Sequence, residues 1–190
     1  MRKATKLIVL VLLIMMLPGT MIYGASSQSQ VSVHMNNVVQ KQPGILSSDG
    51  DIFLPAQQLS ENLFALFSLD ESDHTVRIYK PNVNMILTDK NGEIFGKVKI
   101  PGRIAFSTLL QVDNLVTEIS DVKITITDPA DKIETIDTQS IKNTENHFWF
   151  KSAEYTYSFS TKGAYTVQAY FKDTDSKKWF PVSELAIFGF

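Results

Sequence analysis

The chain contains no cysteine. That excludes disulfide staples, a thiol nucleophile, a Cys-ligated metal site and a cysteine-attached lipid anchor. Histidine is scarce: His34, His74 and His147 are widely spaced, without the His-x-His or His-x-x-x-His pairs by which one strand or helix presents two ligands to zinc or copper. No calcium loop of alternating acids around a central glycine is present, so neither a cofactor nor a metal is expected. An excess of cations is missing too. Eighteen Lys and Arg stand against 20 Asp and Glu, with no long basic run, which argues against a nucleic-acid partner. The Gly-x-Ser-x-Gly elbow that presents a nucleophilic serine in many hydrolases is absent. Glycosidase carboxylates pair in space, so spacing alone does not exclude them. Small, regular modules offer such a pair no obvious deep cleft, however. The expectation is a protein that is not an enzyme, with an unrecognised small hydrolase or inhibitor as the remaining alternative.

What is present starts at the N terminus. Arg2, Lys3 and Lys6 precede an unbroken apolar run from Leu7 to Leu17, and Pro18-Gly19 ends it. A basic start, a short apolar stretch and small residues after a helix breaker are the layout of a secretory signal peptide. The run is short of the roughly 20 residues that cross a bilayer as a helix. Cleavage is expected after Gly24 or after Ser27; after Ala25 it would place bulky Tyr23 where a small side chain is preferred. The alternative is an uncleaved anchor reaching Tyr23, the one expected route to a membrane. Residues 1–27 are therefore read as a leader, and the remainder as exported: secreted, extracellular or held at the cell envelope. Removing the leader leaves 15 basic against 20 acidic residues, a mildly acidic surface. The chain closes at Gly189-Phe190 without a sorting signal, so release, or retention by binding alone, is expected.

Two modules are expected after the leader. Val31 to Met35 alternates at period two, Asn36-Asn37 tolerates positive φ, and Val38-Val39 follows, which together predict a hairpin. Pro43-Gly44 and Ser47 to Asp51 are loop signals. Ile52-Phe53-Leu54 predicts a short strand, and Pro55 is placed to open a helix reaching about Leu66. Leu59, Leu63, Leu66 and Phe67 give that helix one apolar stripe. A polar turn, Asp70 to Asp73, leads to a strand over Thr75–Tyr79. The Asp70, Glu71, Asp73 and His74 cluster is read as a solvated turn rather than a weak cation site.

This order, with Val31-x-Val33 before Asn36-Asn37, Asp51-Ile52-Phe53-Leu54-Pro55 at the helix start and Thr75-Val76-Arg77-Ile78 closing the sheet, resembles the copper amine oxidase N-terminal-like (stalk) domain over residues 31–80. That family usually carries a Gly in the first turn and a Trp-Asp pair before the last hairpin. Here Asn36-Asn37 and Ser68-Leu69-Asp70 stand instead. The resemblance implies an exported accessory domain of bacterial envelope or secreted proteins, without catalysis, copper or a transferable set of functional residues.

From about residue 86 to 190 the pattern is strands only. Alternation marks Ile104–Val112, Val122–Ile126, Tyr155–Phe159 and Tyr165–Phe171, with weaker strands near Phe95–Val98, Ile133–Ile136 and Leu185–Phe188. Turn signals separate them, and Glu118 to Asp121 reads as a loop. Some seven strands without a helix predict an immunoglobulin-like β-sandwich. Phe159 to Val167, with Gly163 and Tyr165, looks like the tyrosine corner at the start of strand F; Val167 stands where a disulfide cysteine would. The fold class expected is mainly β: a small α+β module of hairpins around one helix, then a seven-stranded immunoglobulin-like sandwich.

Aromatic side chains are the remaining handle. His147-Phe148-Trp149-Phe150-Lys151 sets three rings in succession, so in a strand at least one faces away from the core. Trp149, Phe150, Tyr170 and Trp179 are the candidate ligand-binding residues, able to stack on sugar rings. The expected function is a non-enzymatic exported protein for adhesion, scaffolding or interaction with an envelope or extracellular protein partner. The alternative is a module that binds carbohydrate, such as cell-wall glycan, through those rings.

Overall fold

Period-two runs become strands, and the chain is mainly β. The computed structural model describes residues 29–35, 38–141 and 145–190. The expected leader and the Asn36-Asn37 turn lie outside the described residues. Among them, no helix is long and apolar enough to cross a membrane.

The N-terminal part is built from short pieces. β1 (Ser29–Val31), β4 (Gly44–Leu46) and β5 (Ile52–Phe53) form one antiparallel sheet in the order β1-β4-β5. β2 (His34–Met35) pairs with β3 (Val38–Val39), as the expected hairpin requires, with His34 opposite Val39. Helix α1 (Ala56–Leu63) follows, with Pro55 in an extended conformation at its N-cap. The helix is a turn shorter than its apolar stripe predicts. Phe64 adopts left-handed φ and ψ, and the Ala65 N–H bonds to the Ser60 carbonyl at 3.0 Å, which closes the helix. Lys80 Nζ donates to the Leu63 carbonyl at 2.8 Å, a cation at the negative end of the helix dipole. Leu66 and Phe67, expected on the helix, instead begin β6 (Leu66–Asp70), which pairs with β7 (Thr75–Tyr79). Cross-strand pairing wins there because Leu66 reaches the core as a strand residue, 1 % exposed.

The rest is a sandwich of two sheets. β8 (Asn82–Asp89) pairs with one edge of the long β10 (Gly102–Asp113); β13 (Phe148–Lys151) and β14 (Tyr155–Phe159) share its other edge. Between those two, Ser152 substitutes for a regular ladder residue: the Thr108 N–H donates to its Oγ and its own N–H to the Thr108 carbonyl, both at 2.9 Å. The second sheet runs in the order β12 (Ile133–Ser140), β11 (Ile119–Thr127), β15 (Gly163–Asp173), β16 (Trp179–Gly189), β9 (Lys97–Val98). Counting β13 and β14 as one interrupted line gives seven long strand positions, but not the seven expected: β8 is not among those, and the expected strand near Phe95–Val98 is only the two-residue β9, a parallel addition to β16. The two sheets together account for most of the strand content of the described residues.

Two boundaries differ from expectation. The sandwich begins at Asn82 rather than near residue 86, because Val83 and Met85 already pair with Val112 and Leu110. The predicted loop over Glu118 to Asp121 is mostly strand, since Ile119 is buried and starts β11.

The core lies between the sheets. Phe106, Leu110, Val122, Ile124, Val167 and Phe171 are wholly buried, and Leu66 joins the same cluster with Phe67 and Tyr79 packed against it. The tyrosine corner forms as read. Gly163, at φ 136°, leads into β15; the Tyr165 hydroxyl donates to the Thr161 carbonyl at 2.8 Å and accepts from the Thr161 N–H at 2.9 Å. Tyr165→Phe keeps the ring but strands both backbone groups. We expect a loss of about 1–3 kcal/mol, measured by urea unfolding.

Candidate functional site

Strand alternation splits β15 and its neighbours into two faces. Val122, Ile124, Ala169, Phe171, Phe180 and Val182 point inward. Asp121, Lys123, Gln168, Tyr170, Lys172 and Trp179 therefore share the outer face, where register sets Lys123 opposite Tyr170, and Lys172 opposite Trp179. Lys123 Nζ sits 4.7 Å from the Tyr170 ring centre and 4.5 Å from that of Trp179, bracing the two rings as a cation–π pair. Burial holds its ammonium below the usual lysine range. Lys172 Nζ lies 3.6 Å from the Asp121 carboxylate. Hydrogen bonds from the Ser120 and Ser140 hydroxyls, both 2.7 Å, keep the Asp121 carboxyl below its ordinary value, with Lys172 adding to the effect. Burial raises the Tyr170 hydroxyl, which donates to Gln168 Oε1 at 2.8 Å.

This platform forms one wall of a cleft of about 530 Å³. Gln168, Tyr170, Trp179 and Pro181 supply that wall. Opposite stand Gln58, Glu61 and Asn62 of α1, with Val38 to Lys41 beside them. Spacing i, i+3, i+4 puts the three helical residues on one polar face. Asn62 Nδ2 donates to Gln40 Oε1 at 3.0 Å and to the Gln58 carbonyl at 2.9 Å. The Gln42 N–H donates to Gln58 Oε1 at 3.0 Å, tying the helix to the segment after β3.

The four sequence-predicted residues separate. Tyr170 and Trp179 come together in the cleft. Trp149 is 65 % exposed, but it lies on β13 in the other sheet. Phe150 is a correction: it is 6 % exposed and belongs to the core, because the pairing of Leu110 with Phe150 turns its ring inward. It cannot stack on a ligand. Lys123, Gln58, Glu61, Asn62 and Gln168 were missed. The polar face of α1 was readable from its spacing, but nothing in the sequence aims it at β15.

The acidic turn has internal partners. Asp70 accepts from the Ser72 hydroxyl at 2.6 Å and the Ser72 N–H at 3.0 Å, which keep its carboxyl below the usual range. Arg77 lies 3.6 Å from Asp70 and 3.2 Å from Asp73. Among the described residues, no group of three or more His, Asp or Glu is arranged to hold a metal. Neither a protein-family model nor a curated protein matches the chain.

Proposed function

We propose that the protein is an exported, non-enzymatic interaction protein acting at or near a bacterial cell envelope, where it docks a protein partner through its N-terminal module. One observation carries this reading. Leu69, Val76 and Ile78 are 52 %, 48 % and 49 % exposed on one face of the β6–β7 hairpin, where register makes them neighbours. Ile52 and Phe53 are exposed as well, on β5 in a separate sheet, and the hairpin patch stands without them. Contiguous apolar surface of this kind marks contact with a partner more often than idle exposure. The leader over residues 1–27 and the resemblance of residues 31–80 to the copper amine oxidase N-terminal-like domain support export and an accessory role.

Because these side chains face solvent, Leu69→Ser, Val76→Ser and Ile78→Ser combined should leave the circular dichroism spectrum unchanged. Association with intact cells, followed by surface crosslinking, should weaken about tenfold or more. Undiminished crosslinking by the triple variant removes this face as the contact. A second reading, binding of cell-wall glycan, is favoured by the shared wall of Tyr170 and Trp179.

A further inference from the structure

We propose that the cleft between α1 and the β15–β16 face is a binding site for a neutral saccharide, an inference that rests on the glycan reading above and assigns it a place and a ligand class. Sugar recognition combines flat aromatic faces, which cover the apolar C–H side of a pyranose, with side chains that can both donate to and accept from hydroxyl groups. The cleft supplies the rings, acceptors on Asn62, Glu61 and Tyr170, and a donor in the Lys41 ammonium. Tyr170 and Trp179 are half-buried on one wall and fixed in place, since Lys123 braces both rings without itself lining the cleft. Across from them, the N–H groups of Asn62 are spent on Gln40 and Gln58, which leaves its Oδ1 as an acceptor beside the Glu61 carboxylate. Tyr170 donates to Gln168 and keeps lone pairs for a ligand hydroxyl.

Charge selects a neutral ligand. Among the described residues lining the cleft, only Lys41 and Glu61 are charged, and with opposite sign. The two charges balance, so neither an anionic nor a cationic sugar gains a net attraction from the lining, and a neutral one loses nothing. At about 530 Å³ the space lies within the range typical of small-molecule sites.

The chain has two tryptophans, at 149 and 179, on different sheets. Trp149→Phe therefore makes Trp179 the sole indole reporter. The test titrates this variant with the β-1,4-linked tetramer of N-acetylglucosamine, alongside sedimentation of the unsubstituted protein with isolated cell wall. A saturable change in Trp179 fluorescence is expected. Glu61→Ala, an exposed change with no ring involved, should weaken it about tenfold, while the melting temperature stays constant. Sedimentation with wall that is unaffected by Glu61→Ala, with Trp179 silent, overturns the cleft but leaves the glycan reading standing. Absence of both signals overturns the two together.

Discussion

Phe150→Ala lowers the unfolding free energy by about 3–5 kcal/mol, whereas Trp149→Ala, one residue away, changes it by less than about 1 kcal/mol. The contrast follows from the pleat. Phe150 is 6 % exposed inside the core cluster, and Trp149 is 65 % exposed on the far side of the same strand. Truncating Phe150 removes its burial and leaves a cavity between the sheets, and close-packed interiors collapse only partly around such gaps. Trp149 gives up little, because water already surrounds most of its ring. Urea unfolding followed by far-ultraviolet circular dichroism measures both variants without relying on indole fluorescence. The effect is large against the roughly 5–15 kcal/mol that hold a domain together, and a chain without disulfides has no covalent reserve. Equal losses in the two variants would show that β13 is turned over relative to the register described above.

Alkaline unfolding should begin near pH 10 and be complete in its tyrosine-linked part by about pH 12. Burial pushes the Tyr157 hydroxyl up to about 12, with Asp128 and Glu134 adding to the effect. Its ring lies 4.9 Å from that of Phe159 and 5.9 Å from that of Tyr165. The unfolded chain ionises tyrosine near 10. The preference for the neutral hydroxyl therefore stabilises the fold fully below about pH 10 and is lost as pH rises toward about 12. For Tyr157 this loss is on the order of 2–3 kcal/mol. Tyr155, raised chiefly by its hydrogen bond to Glu134, and Tyr170, raised by burial, act in the same direction. Lys123, lowered by burial, opposes them only up to its ordinary value of 10.5. Stability measured against pH in Tyr157→Phe should fall less steeply above pH 10 than in the unsubstituted chain. Parallel curves would mean that the Tyr157 hydroxyl is as accessible folded as unfolded.

Residue by residue, local pattern determined the elements. Alternation at Ile104–Val112 and Tyr165–Phe171 became β10 and β15, and the Gly163-to-Tyr165 spacing became a hydrogen-bonded corner. Those signals are local because a pleated strand fixes its two faces by period alone. The absence of cysteine and the small, scattered histidine count likewise followed from composition. Where two local patterns competed, sequence failed: Leu66 and Phe67 continue the helical stripe of Leu59 and Leu63, yet pair with Tyr79 and Ile78 in β6 and β7. Only the partner strand and the core beneath it settle that competition.

Tertiary structure alone decided which faces look outward and what they meet. Period two says that Trp149 and Phe150 oppose each other, but the pairing with β10 says which one is buried. The cleft joins α1 and the segment after β3 to β15 and β16, stretches that lie far apart in the chain. Its amides and rings show no shared spacing, because their proximity comes from the packing of α1 against β16. Such packing is governed by complementary surfaces rather than by any repeat along the sequence.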